Sequence, residues 1–149
     1  MSSGAIVKLR QADLAQLEAL LRANHLPADD CVEQVQHYCA SYQGDELIAA
    51  GAIEPVAPYG LLRSIVVRED HRGRGLAQRM TRHLLNHARD EGRMAIYLLT
   101  ETAQAYFASL GFVPIARADV PTAVSQTRQF VSLCPDSASC MCLSLQSNK

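Results

Sequence analysis

A turn rich in glycine and arginine, Arg72-Gly73-Arg74-Gly75-Leu76-Ala77, constrains this chain more than any other part of the sequence. It follows an apolar run at residues 61–67 and leads into an amphipathic run at residues 76–91. A strand, a turn and a helix in that order form a site for a phosphorylated ligand, because glycines admit a close ligand and the first helical amides have no partner inside the helix. The charges of Arg72 and Arg74 favour an anion there. The alternative is a solvated turn at a helix start.

The turn matches neither of the commonest phosphate-binding motifs. A P-loop requires a Lys followed by Ser or Thr, and a dinucleotide fingerprint requires a third glycine where this chain has Gln78. The ligand therefore has to be inferred from the surrounding sequence.

Length and composition favour one globular domain over residues 1–149. The net charge of −1 gives no general attraction to nucleic acid. No apolar stretch approaches the roughly 20 residues that cross a bilayer, and the N-terminus lacks a signal-peptide pattern, so no membrane partner is expected. Five cysteines, an odd number, are interpreted as reduced thiols, which indicates a cytoplasmic protein.

Hydrophobic periodicity predicts an α/β (α+β) chain of alternating strands and helices. The predicted strands are residues 6–9, 36–42, 46–53, 61–67, 94–99, 112–116 and 138–145. The predicted helices are residues 12–21, 76–91, 101–110 and 121–127, whereas residues 29–34 fit either a helical turn or a loop. The early strands are expected to form an antiparallel meander, and 94–99 is typical of a central strand buried on both faces.

A second motif appears downstream, where a predicted helix ends in Leu110-Gly111-Phe112. Together with Arg72, Gly75 and Ala77 of the turn, this ending resembles the GNAT superfamily of N-acyltransferases over roughly residues 5–117. The resemblance implies the GNAT fold: a mixed, mostly antiparallel central sheet of about six to seven strands flanked by about four helices. Two parallel strands, 61–67 and 94–100, are expected to splay apart.

A narrower resemblance extends over nearly the whole chain. Residues 62–67, 97–100, 117–121 and 132–135 are similar to a GNAT subgroup found with arsenic-resistance genes. A related subgroup is associated with phosphinothricin-like amino acids and their arsenical analogue, which implies a small, amino-acid-like acceptor. The resemblance also implies a homodimer as one possible oligomeric state, because many GNAT relatives pair through C-terminal strands.

The resemblance implies that the chain is an acyltransferase that transfers the acetyl group of acetyl-CoA to a small-molecule amine by direct attack. The backbone of Ile65 to Val67 would pair with pantetheine, and the turn would hold the pyrophosphate. The residues assigned to acetyl-CoA are Ile65, Val66, Val67, Arg72, Gly73, Arg74, Gly75, Leu76, Ala77, Thr100 and Phe107.

The usual catalytic acid is replaced in this sequence. With three residues between it and Gly111, Phe107 occupies the position of the family's tyrosine, and Tyr106 lies one residue earlier. Adjacent helical residues point about 100° apart, so Tyr106 acts as the acid only if the helix shifts. Otherwise Tyr106 packs in the core with its hydroxyl bonded elsewhere, and the CoA thiolate takes its proton from solvent or another group.

Candidate groups for the acceptor amine lie on neighbouring predicted strands. Glu54 is the first candidate for the general base, with a solvated surface carboxylate as the alternative. Arg63 and Ser64 are the candidate residues for binding the acceptor. Arg63 is interpreted either as a clamp for an acceptor carboxylate or as part of a strand face that reaches solvent. Arg117 and Arg128 are weaker candidates for the same clamp.

No metal ion is expected from the sequence. His83 and His87 share a helix face but lack a third ligand, and Cys134, Cys140 and Cys142 do not follow a zinc spacing. Thiolates nevertheless suit soft metalloids. The rival hypothesis is a non-catalytic GNAT-fold module that binds acyl-CoA or a metalloid.

Overall fold

The computed structural model of the protein describes residues 5–133 and 137–145. The described residues form two compact units. The first contains the chain through Glu54 together with Arg63–His87, and the second contains Pro55–Leu62 and the chain from Ala88 onward. A single domain over residues 1–149 stays a prediction. Within the described segments, no helix combines the length and the apolar character that a membrane span requires.

The first unit begins with a short strand and a helix and ends in the long helix that follows the turn at residues 72–77. Its elements are β1 (Val7–Lys8), α1 (Leu14–Ala23), α2 (Cys31–Gln34), β2 (Tyr38–Gln43), most of β3 (Glu46–Val56), the second half of β4 (Tyr59–Val67) and most of α3 (Leu76–Asp90). Short 3-10 turns at Gln11–Asp13, Val35–His37 and Glu69–His71 precede α1, β2 and the turn.

The second unit contains the remaining strands and the shorter helices. These are β5 (Ala95–Thr100), α4 (Gln104–Ser109), β6 (Val113–Pro114), α5 (Thr122–Ser125) and β7 (Ser139–Ser144). A 3-10 turn at Arg117–Asp119 and a π-helical segment at Gln129–Leu133 flank α5.

The strands hydrogen-bond in the order β1-β2-β3-β4-β5-β7-β6. β1, β2 and β3 pair antiparallel, and the two-residue connection from β3 to its neighbour β4 continues the predicted meander. β4 and β5 pair in parallel, with Gly60 opposite Ile96 and Leu61 opposite Tyr97. β7 pairs antiparallel with both β5 and β6. This is the mixed, mostly antiparallel sheet that the sequence predicts.

The core of the first unit packs α1 against β2, β3 and β4. Leu17 and Leu21 are four residues apart on α1, so they share one face, and both are fully buried. They cluster with Tyr38 of β2 and Val66 of β4. Burial of each large apolar side chain contributes about 1.5–3 kcal/mol. The cluster also contains Cys31, so α2 packs on the same core.

The strand before the turn and the helix after it are confirmed nearly to the residue. β4 ends at Val67 and α3 begins at Leu76, as predicted. The helix ends at Asp90, and Gly92 follows with a φ of 78°, a conformation that suits glycine after a helix end.

Several other predicted bounds are wrong. The strand predicted at 112–116 contains only Val113–Pro114. The Ile115 N–H still donates to the Cys140 carbonyl at 3.0 Å, so one backbone hydrogen bond to β7 follows the strand. The helix predicted at 101–110 starts only at Gln104, since the Thr100 hydroxyl accepts the Ala103 N–H at 3.1 Å and holds the preceding loop.

The segment that the sequence left ambiguous, residues 29–34, contains the short helix α2. The strand predicted at 36–42 begins only at Tyr38, because the chain first makes the 3-10 turn Val35–His37. Asp30 and Tyr38 therefore bracket a compact helical segment, and both are buried.

Candidate functional site

The turn at residues 72–77 has the backbone that its glycines predict. Gly73 and Gly75 have φ values of 81° and 79°, in the left-handed region that other residues avoid. The Arg79 N–H donates to the Gly75 carbonyl at 3.0 Å, so Gly75 is the N-cap of α3. The amides that follow it belong to the first helical turn, where backbone donors have no intrahelical acceptor. These features suit an anionic group.

Two arginine side chains define the surroundings of the turn. Arg72 donates from Nε to the Val67 carbonyl at 3.2 Å and from Nη2 to Asn24 Oδ1. Arg79 folds back from α3, and its Nη1 donates to the Arg74 carbonyl at 3.4 Å. The same Nη1 lies 4.0 Å from the position that a Cβ on Gly75 would occupy. Sequence reasoning missed Arg79, although its spacing of four residues from Gly75 was the available signal.

The β4 backbone that leads to the turn is packed closely on one side. A Cβ on Gly51 of β3 would lie 2.5 Å from Ile65 Cδ1 and 3.0 Å from Met80 Cγ of α3. A β-carbon at this position therefore fits only if these neighbouring side chains shift. Val66 and Val67 are buried, and the Arg68 N–H donates to the Ile48 carbonyl at 2.8 Å. The side chains of Ile65 to Val67 are packed, which leaves their backbone as the part with a candidate role.

Arg63, Asp30 and Glu54 form a buried ion-pair triad. Arg63 Nη1 lies 2.7 Å from Asp30 Oδ2 and 2.9 Å from Glu54 Oε1, and Nη2 also pairs with Asp30. The exposed fractions of the side chains are 0% for Arg63, 2% for Asp30 and 15% for Glu54. The interpretation of Arg63 as part of a solvent-reaching strand face is therefore wrong, as is a fully solvated Glu54.

The triad also limits what Arg63 can bind. Burial alone would lower the pKa of Arg63, but the hydrogen bond with Asp30 and the nearby charges raise that pKa above its ordinary value. Arg63 thus stays charged, and two carboxylates of the chain itself already accept hydrogen bonds from Nη1 and Nη2. Among the described residues, Nε of Arg63 has no hydrogen-bond partner. Asp30 was missed from the sequence, because nothing local connects it to a residue 33 positions away.

Next to the triad, Ser64 of β4 meets Tyr38 of β2. The two hydroxyl oxygens lie 2.8 Å apart, and Cys31 Sγ lies 3.9 Å from the Tyr38 hydroxyl. Burial raises the pKa of Tyr38 to about 12, so its hydroxyl keeps its proton at neutral pH. Ser64 has a φ of 63°, which costs a residue with a β-carbon about 1–2 kcal/mol. Such strain persists only where the surroundings hold it.

The aromatic residues predicted near the acyl group lie in the second unit. Phe107 is buried, with its ring centroid 5.7 Å from that of Phe112 and 5.1 Å from that of Tyr106. Tyr106 is half-buried. Thr100 ends β5 and uses its hydroxyl for the Ala103 amide. The roles of Thr100, Tyr106 and Phe107 toward acetyl-CoA stay predictions.

The second unit contains the weaker candidates for the acceptor clamp and the C-terminal cysteines. Arg117 lies over the Phe130 ring at 5.7 Å and donates to the Ala138 carbonyl at 3.4 Å, and Arg128 is exposed. Cys140 is buried and Cys142 half-buried on the same face of β7, and burial raises the pKa of both thiols. Cys134 lies outside the described residues.

Within the described ranges, no group of three or more His, Cys, Asp and Glu side chains is arranged to hold a metal ion. His83 and His87 lie on the exposed face of α3. The candidate site of the first unit therefore consists of the 72–77 turn, the β4 backbone and the polar groups around Arg63 and Ser64.

Solved structures share this fold. The chain matches Rv2747 from Mycobacterium tuberculosis, solved in complex with CoA, with a TM-score of 0.80 and 21% identity over 95% of this chain and 99% of that one. It matches N-acetylglutamate synthase from Neisseria gonorrhoeae, solved with coenzyme A, with a TM-score of 0.82 and 15% identity over 96% of this chain and 35% of that one. For the ribosomal-protein-S18-alanine N-acetyltransferase from Escherichia coli, the TM-score is 0.71 and the identity 19%, over 97% and 96% of the two chains.

Sequence comparison identifies the family. The uncharacterized N-acetyltransferase YobR of Bacillus subtilis (strain 168) is 34% identical over 79 residues, which cover 50% of this chain and 32% of that protein. The chain thus spans about a third of the length of that curated relative. The profile of the Acetyltransferase (GNAT) family matches residues 8–112, which include β4, the 72–77 turn and the Leu110-Gly111-Phe112 motif. The chain belongs to the GNAT family of acetyltransferases.

Proposed function

We propose that this protein is an acetyl-CoA-dependent N-acetyltransferase that acts on the amine of a small polar acceptor. The observation that carries the proposal is the 72–77 turn, with Gly73 and Gly75 in left-handed conformations at the start of α3 and inside the region that matches the family. First-turn amides and adjacent arginines fit the diphosphate of CoA, and a Cβ at Gly73 would meet no atom within 4 Å, so the turn has room for a ligand.

The reaction is a direct displacement. The neutral amine attacks the thioester carbonyl, the new N–C bond forms, the C–S bond breaks, and the CoA thiolate leaves and takes up a proton. Charge develops on the thioester oxygen during this step, and a fixed backbone N–H stabilises it. We assign this role to the backbone of Ile65 to Val67 at the end of β4, as the family resemblance implies.

Glu54 is the proposed general base. Its carboxylate is partly exposed at the end of β3, and Arg63 fixes its position through the 2.9 Å hydrogen bond. A base must be both accessible and held in place to accept a proton from an ammonium group. For the thiolate, solvent is the proposed proton source, since Phe107 occupies the position of the family's tyrosine.

The finer identity of the acceptor rests on the resemblance to the arsenic-resistance subgroup. From that resemblance, we propose an amino-acid-like acceptor such as phosphinothricin or its arsenical analogue. Such an acceptor's carboxylate reaches Arg63 only if it displaces Asp30 or Glu54, because both already accept hydrogen bonds from Arg63. We also propose a cytoplasmic location, a homodimer, and no nucleic-acid or membrane partner.

Calorimetric titration with acetyl-CoA tests the turn. We expect saturable binding to the wild-type protein and none to Gly75→Glu, whose carboxylate would repel the diphosphate. Gly44→Glu is the matched control, because Gly44 has a similar φ of 60° and no atom within 4 Å of an added Cβ. Equal loss of binding in both variants, or unchanged binding in Gly75→Glu, would contradict the assignment.

Release of CoA thiol with an amine panel tests the reaction. The panel contains phosphinothricin, L-glutamate, L-methionine, spermidine and tyramine. Turnover with any of them supports the transferase, and turnover with phosphinothricin supports the finer proposal. Saturable binding of acetyl-CoA without turnover would instead favour the non-catalytic module.

A further inference from the structure

The left-handed Ser64 interrupts the regular alternation of β4. In a regular strand, neighbouring side chains point to opposite faces of the sheet. Arg63 and Ser64 instead both contact residues of the segment 30–38, Arg63 through Asp30 and Ser64 through Tyr38. A single left-handed residue inside a strand bends it and turns the next peptide group out of the ladder, as in a bulge.

Tyr38 is built to hold this conformation. Its side chain is 0% exposed and packs in the core of the first unit with Leu17 and Leu21. Its position is fixed by the β2–β3 register, in which Tyr38 lies opposite Ala52. A buried hydroxyl requires a hydrogen-bond partner, and Ser64 Oγ lies at 2.8 Å. The rigid group is therefore Tyr38, and the strained group is Ser64.

We propose that Tyr38 is a positioning residue for acetyl transfer. Its hydroxyl holds Ser64 in the left-handed conformation and thereby aims the peptide N–H of Ile65 at the thioester oxygen. This inference rests on the proposed function, in which Ile65 begins the backbone that binds acetyl-CoA. Tyr38 itself touches neither the acetyl group nor the amine, so its effect passes entirely through Ser64.

The first measurement compares Tyr38→Phe with the wild type. Initial rates of CoA thiol release are recorded at varied acetyl-CoA with the panel amine that reacts fastest, and rates are expressed per acetyl-CoA binding site counted by calorimetry. We expect kcat to fall about tenfold, part of the roughly 100-fold or greater loss that removal of an oxyanion donor causes. The KM for acetyl-CoA should stay within about twofold. A purely structural role would lower the number of sites and leave kcat per site unchanged.

Substitution of Ser64 separates the effect of the Tyr38–Ser64 hydrogen bond from the effect of the positive φ at Ser64. Glycine adopts a positive φ without help, so in the Ser64→Gly background Tyr38→Phe should change kcat by less than about twofold. Ser64→Ala keeps the β-carbon, which disfavours a positive φ, and loses the hydrogen bond to Tyr38. Its kcat should therefore be at least about fivefold below that of Ser64→Gly. This second comparison decides the question if Tyr38→Phe does not fold.

The outcomes separate the inference from the function on which it rests. Wild-type protein that neither binds nor turns over acetyl-CoA would overturn both. Active wild-type protein with an unchanged kcat in Tyr38→Phe would overturn the positioning role alone. The same tenfold loss in the Ser64 and Ser64→Gly backgrounds would also overturn it, because the effect would then not pass through Ser64.

Discussion

Arg63 donates from Nη1 to Glu54 Oε1 at 2.9 Å, with the Arg63 side chain fully buried and that of Glu54 still in contact with solvent. The pair joins two adjacent strands, and Asp30 closes the triad from the segment before α2. A charge buried in this way has to keep its partners, because leaving one of them unpaired costs more than the pair contributes.

Removal of the Arg63 charge should strongly destabilise the protein. Arg63→Met leaves Asp30 and Glu54 without their counter-charge, and breaking a buried pair costs about 3–5 kcal/mol. Urea unfolding measures this change in the free energy of unfolding. Arg82→Met on the exposed face of α3 is the control and should change it by less than about 0.5 kcal/mol. Equal stability of the two variants would show that the triad is not formed.

Arg79 should contribute to the affinity for acetyl-CoA. Its guanidinium lies over the 72–77 turn, so Arg79→Ala removes a charge-assisted contact and should weaken binding about three- to tenfold. The measurement is calorimetric titration at low and high salt, and the difference should shrink at high salt. Arg82→Ala, one helical turn further along, should bind as the wild type does. An identical loss in the two variants would mean that only the net charge of α3 matters.

Gly51→Ala should destabilise the packing between β3 and α3. The new Cβ would lie 2.5 Å from Ile65 Cδ1 and 3.1 Å from Leu84 Cδ1, and overpacking of this kind costs about 1–3 kcal/mol. Thermal and urea unfolding measure the loss. In an Ile65→Val background, which lacks the closest atom, the same substitution should cost less. If the cost is unchanged there, the clash is not with Ile65.

The free energy of unfolding should decrease as the pH rises above about 8.5. Burial raises the pKa of Cys140 to about 11, above the value of about 8.5 for a thiol in an unfolded chain. The folded state therefore holds this proton more tightly, so the contribution is fully present below about pH 8.5 and is lost as the pH rises toward 11. Urea unfolding between pH 8 and 11 measures a slope of up to about 1.4 kcal/mol per pH unit from this group. Cys140→Ala should show a shallower slope, and an equal slope would place the effect elsewhere.

Local patterns predicted the part of the fold that carries the turn. The apolar run that ends at Val67, the two glycines and the helical periodicity from Leu76 are contiguous signals, and the structure confirms them. The family resemblance supplied the type of ligand, which the turn by itself left open. The strands β2, β3 and β4 were predictable for the same reason, since a two-residue connection joins each of them to the next.

The contacts of Arg63 and Ser64 were not predictable, because their partners come from distant positions in the sequence. Asp30 lies in a segment whose secondary structure was ambiguous, and Tyr38 read as an ordinary strand residue. The β2–β3 register and the packing of the shared core bring them to Arg63 and Ser64. The left-handed φ of Ser64 had no signal either, since glycine is the usual marker of such a position.

The net charge of the Arg63 triad selects molecules that approach Glu54 by the charge of the group that leads. Two carboxylates and one guanidinium give a formal charge of −1, and Glu54 is the member most accessible to solvent. An amine that arrives as a cation neutralises this excess, whereas a molecule whose anionic end leads the approach is repelled. Selectivity among amines at this point would then depend on the distance between a candidate's ammonium and its nearest negative group, more than on its overall shape.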